Sequence, residues 1–191
     1  YQVKDRQDRD KTLFFIALVP HETLRHEVRE IKEQFRDEFG ARHALKSPAH
    51  VTLQMPFKRN SSEEPAISAI LEKVALEEKP FRVDLDGFGC FAPRVIFIRI
   101  RDHEPVKALH SRLKIKLTEE LDFSEREIMH DVQPHITVAT RDLTKGAFRE
   151  AWPAFESMEF SGSFIVNSLF LLKHNGRNWD IYKEFPFGIN G

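Results

Sequence analysis

His50-Val51-Thr52-Leu53 and His135-Ile136-Thr137-Val138 are two copies of one pattern, His-x-Thr followed by an apolar residue, in a chain of 191 residues. Both are β-branched and alternate polar with apolar, as a strand with one buried face does. In a strand, residues i and i+2 share a face about 6.6 Å apart along the chain. His50 and Thr52 therefore point one way, as do His135 and Thr137, while Val51, Leu53, Ile136 and Val138 anchor the opposite faces in a core.

Working outward, each motif sits at the same place in a longer pattern. Lys11 to Val19 reads as a buried strand ended by Pro20. From His21 to Phe39, Leu24, Val28, Ile31 and Phe35 recur at helical spacing, and Gly40 stops the run. After the strand beginning at His50, Ser61 to Pro65 opens a helix with Ile67, Ile70, Leu71 and Val74 on one side. Phe81 to Asp86 alternates strictly, and Gly87 and Gly89 loosen the chain behind it. The order then repeats, with a strand at Arg94–Ile100 and a helix opened by Glu104-Pro105 carrying Val106, Leu109, Leu113 and Leu117. The second His-x-Thr strand and a helix with Phe148, Trp152 and Phe155 follow. One or two strands lie between Phe160 and Leu172. Asn175-Gly176 marks a hairpin turn, and Trp179–Phe185 is the returning strand.

Both halves thus read strand, helix, strand, helix, strand. Phe15 to Val95 is 80 residues, His50 to His135 is 85, and Phe81 to Phe160 is 79. This predicts an α+β fold of two pseudo-symmetric lobes, each a mainly antiparallel sheet with helices packed outside, around a central cleft. Residues 1–10, polar and charged and unlike a signal peptide, read as an N-terminal extension, and 11–191 as a single bilobal domain.

Composition narrows the function classes. Hydrophobic residues make up 41% and charged residues 31%, which supports a packed core. With 29 Lys+Arg against 30 Asp+Glu, the chain lacks the basic footprint that long nucleic acid requires, though a local pocket for one phosphate remains open. The single cysteine, Cys90, excludes an internal disulfide and a cysteine-based metal site, and suits a reducing, cytoplasmic setting. No apolar run approaches the roughly 20 residues of a membrane helix. A monomer is expected.

If the lobes are related by a dyad, two imidazoles and two hydroxyls meet in one cleft. That set suits phosphodiester hydrolysis. One neutral His takes a proton from water, and the other, protonated, supplies the leaving alkoxide. The Thr hydroxyls hydrogen-bond the non-bridging oxygens, where charge rests in the transition state. No cofactor is called for, and no metal, since neither strand adds an acidic or thiol neighbour on that face.

The paired motifs, with the Pro56-Phe57 tail after the first, resemble the two-histidine phosphoesterases, especially the bacterial 2′-5′ RNA ligase-like branch. The resemblance spans Leu13 to Phe185. It implies a metal-independent 2′,3′-cyclic phosphodiesterase that leaves a 2′-phosphate, or an enzyme acting on 2′-5′ linkages, with RNA ends or small cyclic nucleotides as partners. His50, Thr52, His135 and Thr137 carry over as catalytic residues, with His135 as base and His50 as acid. Arg141, one position later than the usual arginine, is a phosphate contact on the continuing strand, sharing the face of His135 and Thr137. Phe57 is a surface for base stacking or a core ring. His43 and His130 stand near the motifs in loops. Lys58 and Arg59 read as loop charges, and Trp179 and Tyr182 as packing residues of the last hairpin. Two rivals remain open: a non-catalytic RNA-end or nucleotide-binding module, and a relative acting on a cyclic phosphate of an ADP-ribose derivative.

Overall fold

A computed structural model of the chain describes residues 11–188; the extension at 1–10 lies outside the described residues. In chain order the elements are β1 (Lys11–Leu18), α1 (Glu22–Phe39), β2 (Val51–Asn60), α2 (Glu64–Leu76), β3 (Phe81–Phe91) and β4 (Val95–Ile100). There follow α3 (Glu104–Glu120), β5 (His135–Ala139), α4 (Lys145–Glu156), β6 (Ser161–Val166), β7 (Ser168–His174) and β8 (Trp179–Pro186). Short 3₁₀ turns occupy His43–Lys46 and Ser61–Glu63.

The strands form two four-stranded antiparallel sheets, ordered β2-β1-β7-β8 and β5-β4-β3-β6. Leu18 pairs with Val51 and Ala17 with Thr52 in the first, while Ile98 pairs with Ile136 and Phe97 with Thr137 in the second. Spacings of 80 and 85 residues therefore superpose both strands of each pair at once, and each Thr faces the same register position. Val51, Leu53, Ile136 and Val138 all lie in one continuous core, as the alternation requires.

The third spacing fails. β3 and β6 are not equivalents across a dyad but hydrogen-bonded neighbours, Phe81 opposite Val166 and Asp86 opposite Ser161. The chain leaves the first lobe after α2 and returns after β6, so β7 and β8 complete the first sheet. Alternation along the chain reports elements; it carries no information on which of them pair. β3 also runs on to Phe91, past its alternating stretch. Gly87, at φ +64°, takes up the register shift between Leu85 and Phe88 as a bulge, and pairing with β4 resumes to Phe91.

Helix α1 starts with the His21 ring accepting the Leu24 N–H at 3.2 Å and ends at Gly40 in the left-handed region, φ +71°. Its buried stripe is Leu24, Val28, Lys32 and Phe35, and it packs across β5 and β6 of the opposite sheet. Phe35 stacks on Phe155 of α4 at 4.5 Å, and Phe155 meets Phe88 of β3 at 5.1 Å. Each such ring contributes about 1.5–3 kcal/mol by burial. Helix α2 covers β7 and β8 and touches α3. Among the described residues, no helix is long and apolar enough to cross a membrane.

Candidate functional site

β2 and β5 place the two motifs side by side. His50, Thr52, His135 and Thr137 are half-buried, while Val51, Leu53, Ile136 and Val138 are fully enclosed. A cavity of about 150 Å³ opens between the sheets, lined by His50, Thr52, Thr137, Thr140 and Arg141, with Phe15 and Trp179 on one wall and His43 and Lys46 on another. His135 lines a second cavity together with Phe91, Phe97, Arg99 and His103. Its charge is the smallest of the causes that shift the His50 pKa.

Both rings are held by the same device. His50 Nδ1 lies 2.7 Å from the Pro48 carbonyl, and His135 Nδ1 lies 2.5 Å from the Gln133 carbonyl, each two residues upstream. A carbonyl only accepts, so each Nδ1 carries a proton and each Nε2 is left to exchange one. Phe15 packs on His50 at 4.8 Å, and Phe91 and Phe97 on His135 at 5.2 and 4.9 Å. These walls strip water from the rings. Burial, helped by the charges of Lys32 and His135, lowers the His50 pKa to about 4, against the bond to Pro48. His135 is likewise lowered, by burial first and then by the charge of His103. Burial and the cations Arg141 and Lys46 hold His43 low as well.

Arg141 reaches this cavity by a different route from the one expected. β5 ends at Ala139, and Arg141 sits in a turn at φ +55° rather than on a continuing strand. Asp142 sets that turn. Its carboxylate accepts the Arg42 N–H at 2.9 Å and the His43 N–H at 3.0 Å, tying the end of β5 to the 3₁₀ turn before β2. Arg141, Lys46 and His43 thereby converge with His50 on one concave surface that holds no carboxylate among its lining residues. Such a surface favours an anion with its charge spread over several oxygens.

A sequence model of the 2′-5′ RNA ligase superfamily matches residues 20–178. The chain belongs to that superfamily. It is 24% identical over 176 residues to the protein named Putative phosphoesterase OB1230 of Oceanobacillus iheyensis, covering 91% of this chain and 96% of that one. A like-named protein of Bacillus licheniformis is 26% identical over 177 residues, covering 91% and 97%. The fold is that of the Thermus thermophilus protein TT0787, with a TM-score of 0.66 at 23% identity over 92% of this chain and 98% of that one. It is also that of E. coli LigT, solved in complex with 3′-AMP, with a TM-score of 0.62 at 19% identity over 94% and 99%. The chain is thus a phosphoesterase-type protein of the LigT-like fold.

Within that fold, Phe57 does not serve as a stacking face. It is buried against Phe14 at 6.1 Å and Phe123 at 4.9 Å, because Pro56-Phe57 continues β2 and alternation turns the ring inward. Arg59 pairs with Glu127 at 2.7 Å over the Phe123 ring, and His130 lies outside the cavity, against the Glu125 carbonyl at 2.8 Å. Trp179, read as packing, lines the cavity with its edge on Phe15 at 4.7 Å. Three supporting residues escaped the sequence reading. Gln54 is buried two residues after Thr52 and engages the Glu127 carbonyl and the Met129 N–H at 2.9 and 3.0 Å, fastening the segment that leads to His135. Lys32, 3% exposed, donates to the Ser47 carbonyl at 2.9 Å beneath the His50 loop. Asp142 is the third. A lysine at an apolar helix position is the one signal among them that the pattern carried.

Proposed function

We propose that the protein is a metal-independent phosphodiesterase that opens 2′,3′-cyclic phosphates of RNA ends or cyclic nucleotides to 2′-phosphates. The observation that carries this reading is the matched pair of imidazoles, each with Nδ1 bound to a carbonyl and Nε2 left to exchange a proton, with His50 lining a cationic cavity beside both Thr hydroxyls and His135 two residues before Thr137 on the same strand face. Water attacks phosphorus, and the P–O3′ bond breaks. One Nε2 accepts the proton of the water, and the other delivers a proton to O3′. Thr52 and Thr137 donate to the non-bridging oxygens, with Arg141 and Lys46 balancing their charge.

We assign His50, held neutral by burial and the charge of Lys32, as the base, and His135, whose pKa burial also lowers, as the acid; the resemblance implied the opposite order. The nucleotides carried by LigT in its complexes accord with a small nucleotide ligand here.

The test is to mix the protein with a nucleoside 2′,3′-cyclic monophosphate and separate the 2′- and 3′-phosphate products. The 2′-phosphate is expected, with and without EDTA. His50→Ala or His135→Ala should lower kcat by roughly 10²–10⁴-fold. Binding without turnover would replace this reading with the nucleotide-binding module, and complete loss in EDTA would overturn the metal-free mechanism.

A further inference from the structure

A separate cavity of about 310 Å³ lies between α1 and residues 45–49, the segment that leads to His50. Four basic side chains of α1 line it: Arg25, His26, Arg29 and Lys32. Their spacing of three or four residues puts them on one helix face. Ser47 lines both this cavity and the one that holds His50, Thr52 and Thr137, so one thickness of backbone separates the two. We propose that the cavity behind this loop is a binding site for a small oxyanion of the phosphate class, and that the bound anion braces the loop that positions His50. The site lies apart from the reacting groups, and its ligand is not the substrate.

Arg25 supplies the first observation. Its Nε is buried and has no hydrogen-bond partner among the described residues. A buried N–H without an acceptor is costly, and an ion at that place completes the set. Lys32 supplies the second. It is a charged side chain only 3% exposed, and its ammonium has three donors, one of which goes to the Ser47 carbonyl at 2.9 Å. Burial and then the charge of Arg29 bear on it, lowering its pKa to about 7. An anion relieves both pressures. Arg29 gives its Nε to Glu33 at 3.2 Å and keeps its terminal nitrogens, while His26 meets Glu30 at 3.5 Å. Glu22 is the one carboxylate on the lining. It is exposed, and no ion pair among the described residues joins it to the four basic groups.

Two guanidiniums and an ammonium on one wall match an anion whose charge is spread over three or more oxygens, since each guanidinium fork takes two of them. A carboxylate, with two oxygens, leaves part of this donor set unmet. The consequence lies on the backbone side of the cavity. Lys32 holds the Ser47 carbonyl, and the carbonyl of the next residue, Pro48, accepts from His50 Nδ1 at 2.7 Å. A charged ammonium grips a carbonyl harder than a neutral amine does. An oxyanion beside Lys32 keeps it charged, and so keeps the segment that orients the His50 ring in place.

The experiment is a calorimetric titration of the full chain with inorganic phosphate at constant ionic strength, repeated on Arg25→Gln and Arg141→Ala, each checked for folding by its urea midpoint. The wild type should take up two phosphates, one in the cleft and one behind the loop. Arg25→Gln should weaken one of them roughly 10-fold or more and leave the other, and Arg141→Ala should do the reverse. In Arg141→Ala, the NMR signals of the His50 ring should move as the remaining site saturates. Phosphate binding that Arg141→Ala removes and Arg25→Gln leaves untouched would overturn the site. Saturation without movement of the His50 signals would overturn the brace. A chain that binds phosphate behind the loop but turns over no cyclic nucleotide would overturn the phosphodiesterase reading and leave this site standing.

Discussion

At the scale of single residues, the proposed mechanism turns on the proton affinities of His50 and His135. Both lie below the ordinary histidine value because walls of Phe15, Phe91 and Phe97 desolvate the charged form. In the unliganded protein the protonated acid is therefore lost as pH rises through a value under about 6.5. The base is lost only as pH falls toward about 4, the value at His50. The profile of kcat/KM should be a bell centred on the acid side of neutrality. A phosphodiester anion in the cleft favours imidazolium, so the profile of kcat should lie at higher pH than that of kcat/KM. A pH–rate series measures both, and a plateau of kcat/KM extending well above pH 7 would contradict the assignment. Thr137→Val, which removes a hydroxyl without removing volume, should lower kcat by about 10²-fold.

At the scale of elements, the site depends on ties between segments far apart in sequence. Gln54 binds β2 to the segment before β5 through buried hydrogen bonds. Gln54→Leu leaves the Met129 N–H and the Glu127 carbonyl without that partner and should cost about 2–3 kcal/mol in urea unfolding. Lys32 has the opposite character. Burial, then the charge of Arg29, lowers its pKa to about 7 in the folded chain, whereas the unfolded chain keeps the ordinary 10.5. The unfolded state binds more protons between those values, so wild-type stability rises with pH across that window. Lys32→Met should stabilise the fold by on the order of 2 kcal/mol below pH 7, with the gain fading as pH approaches 10. Chemical denaturation at pH 6 and pH 9.5 reads the difference; equal gains at both would show that Lys32 is not a buried charge.

At the scale of the whole molecule, a net charge of −1 coexists with two cavities without carboxylates, one lined by Arg141 and Lys46 and the other by Arg99 and Lys107. The attraction is local, so few counterions are released on binding. Log affinity for a ligand with two phosphates should fall with log salt at a slope of about −1.4, where a long single-stranded footprint would give several times that. Titration across a salt series distinguishes the two.

Much of this was readable before any tertiary structure. The alternation around His50 and His135 assigned each imidazole and hydroxyl to one strand face, because side-chain direction in a strand depends only on position along it. The same spacings matched β1 to β4 and β2 to β5, and the resemblance named the superfamily. Pairing was not readable: that β3 lies beside β6, and that β7 and β8 complete the other sheet, follows from contacts between residues distant in the chain. The inward turn of Phe57 depended on where β2 ends, and the route of Arg141 on Asp142 meeting the 42–43 backbone. The second cavity exists only where β3, β4 and the start of α3 come together. Local chemistry is written along the chain, while the enclosure that tunes it is made by segments meeting in space.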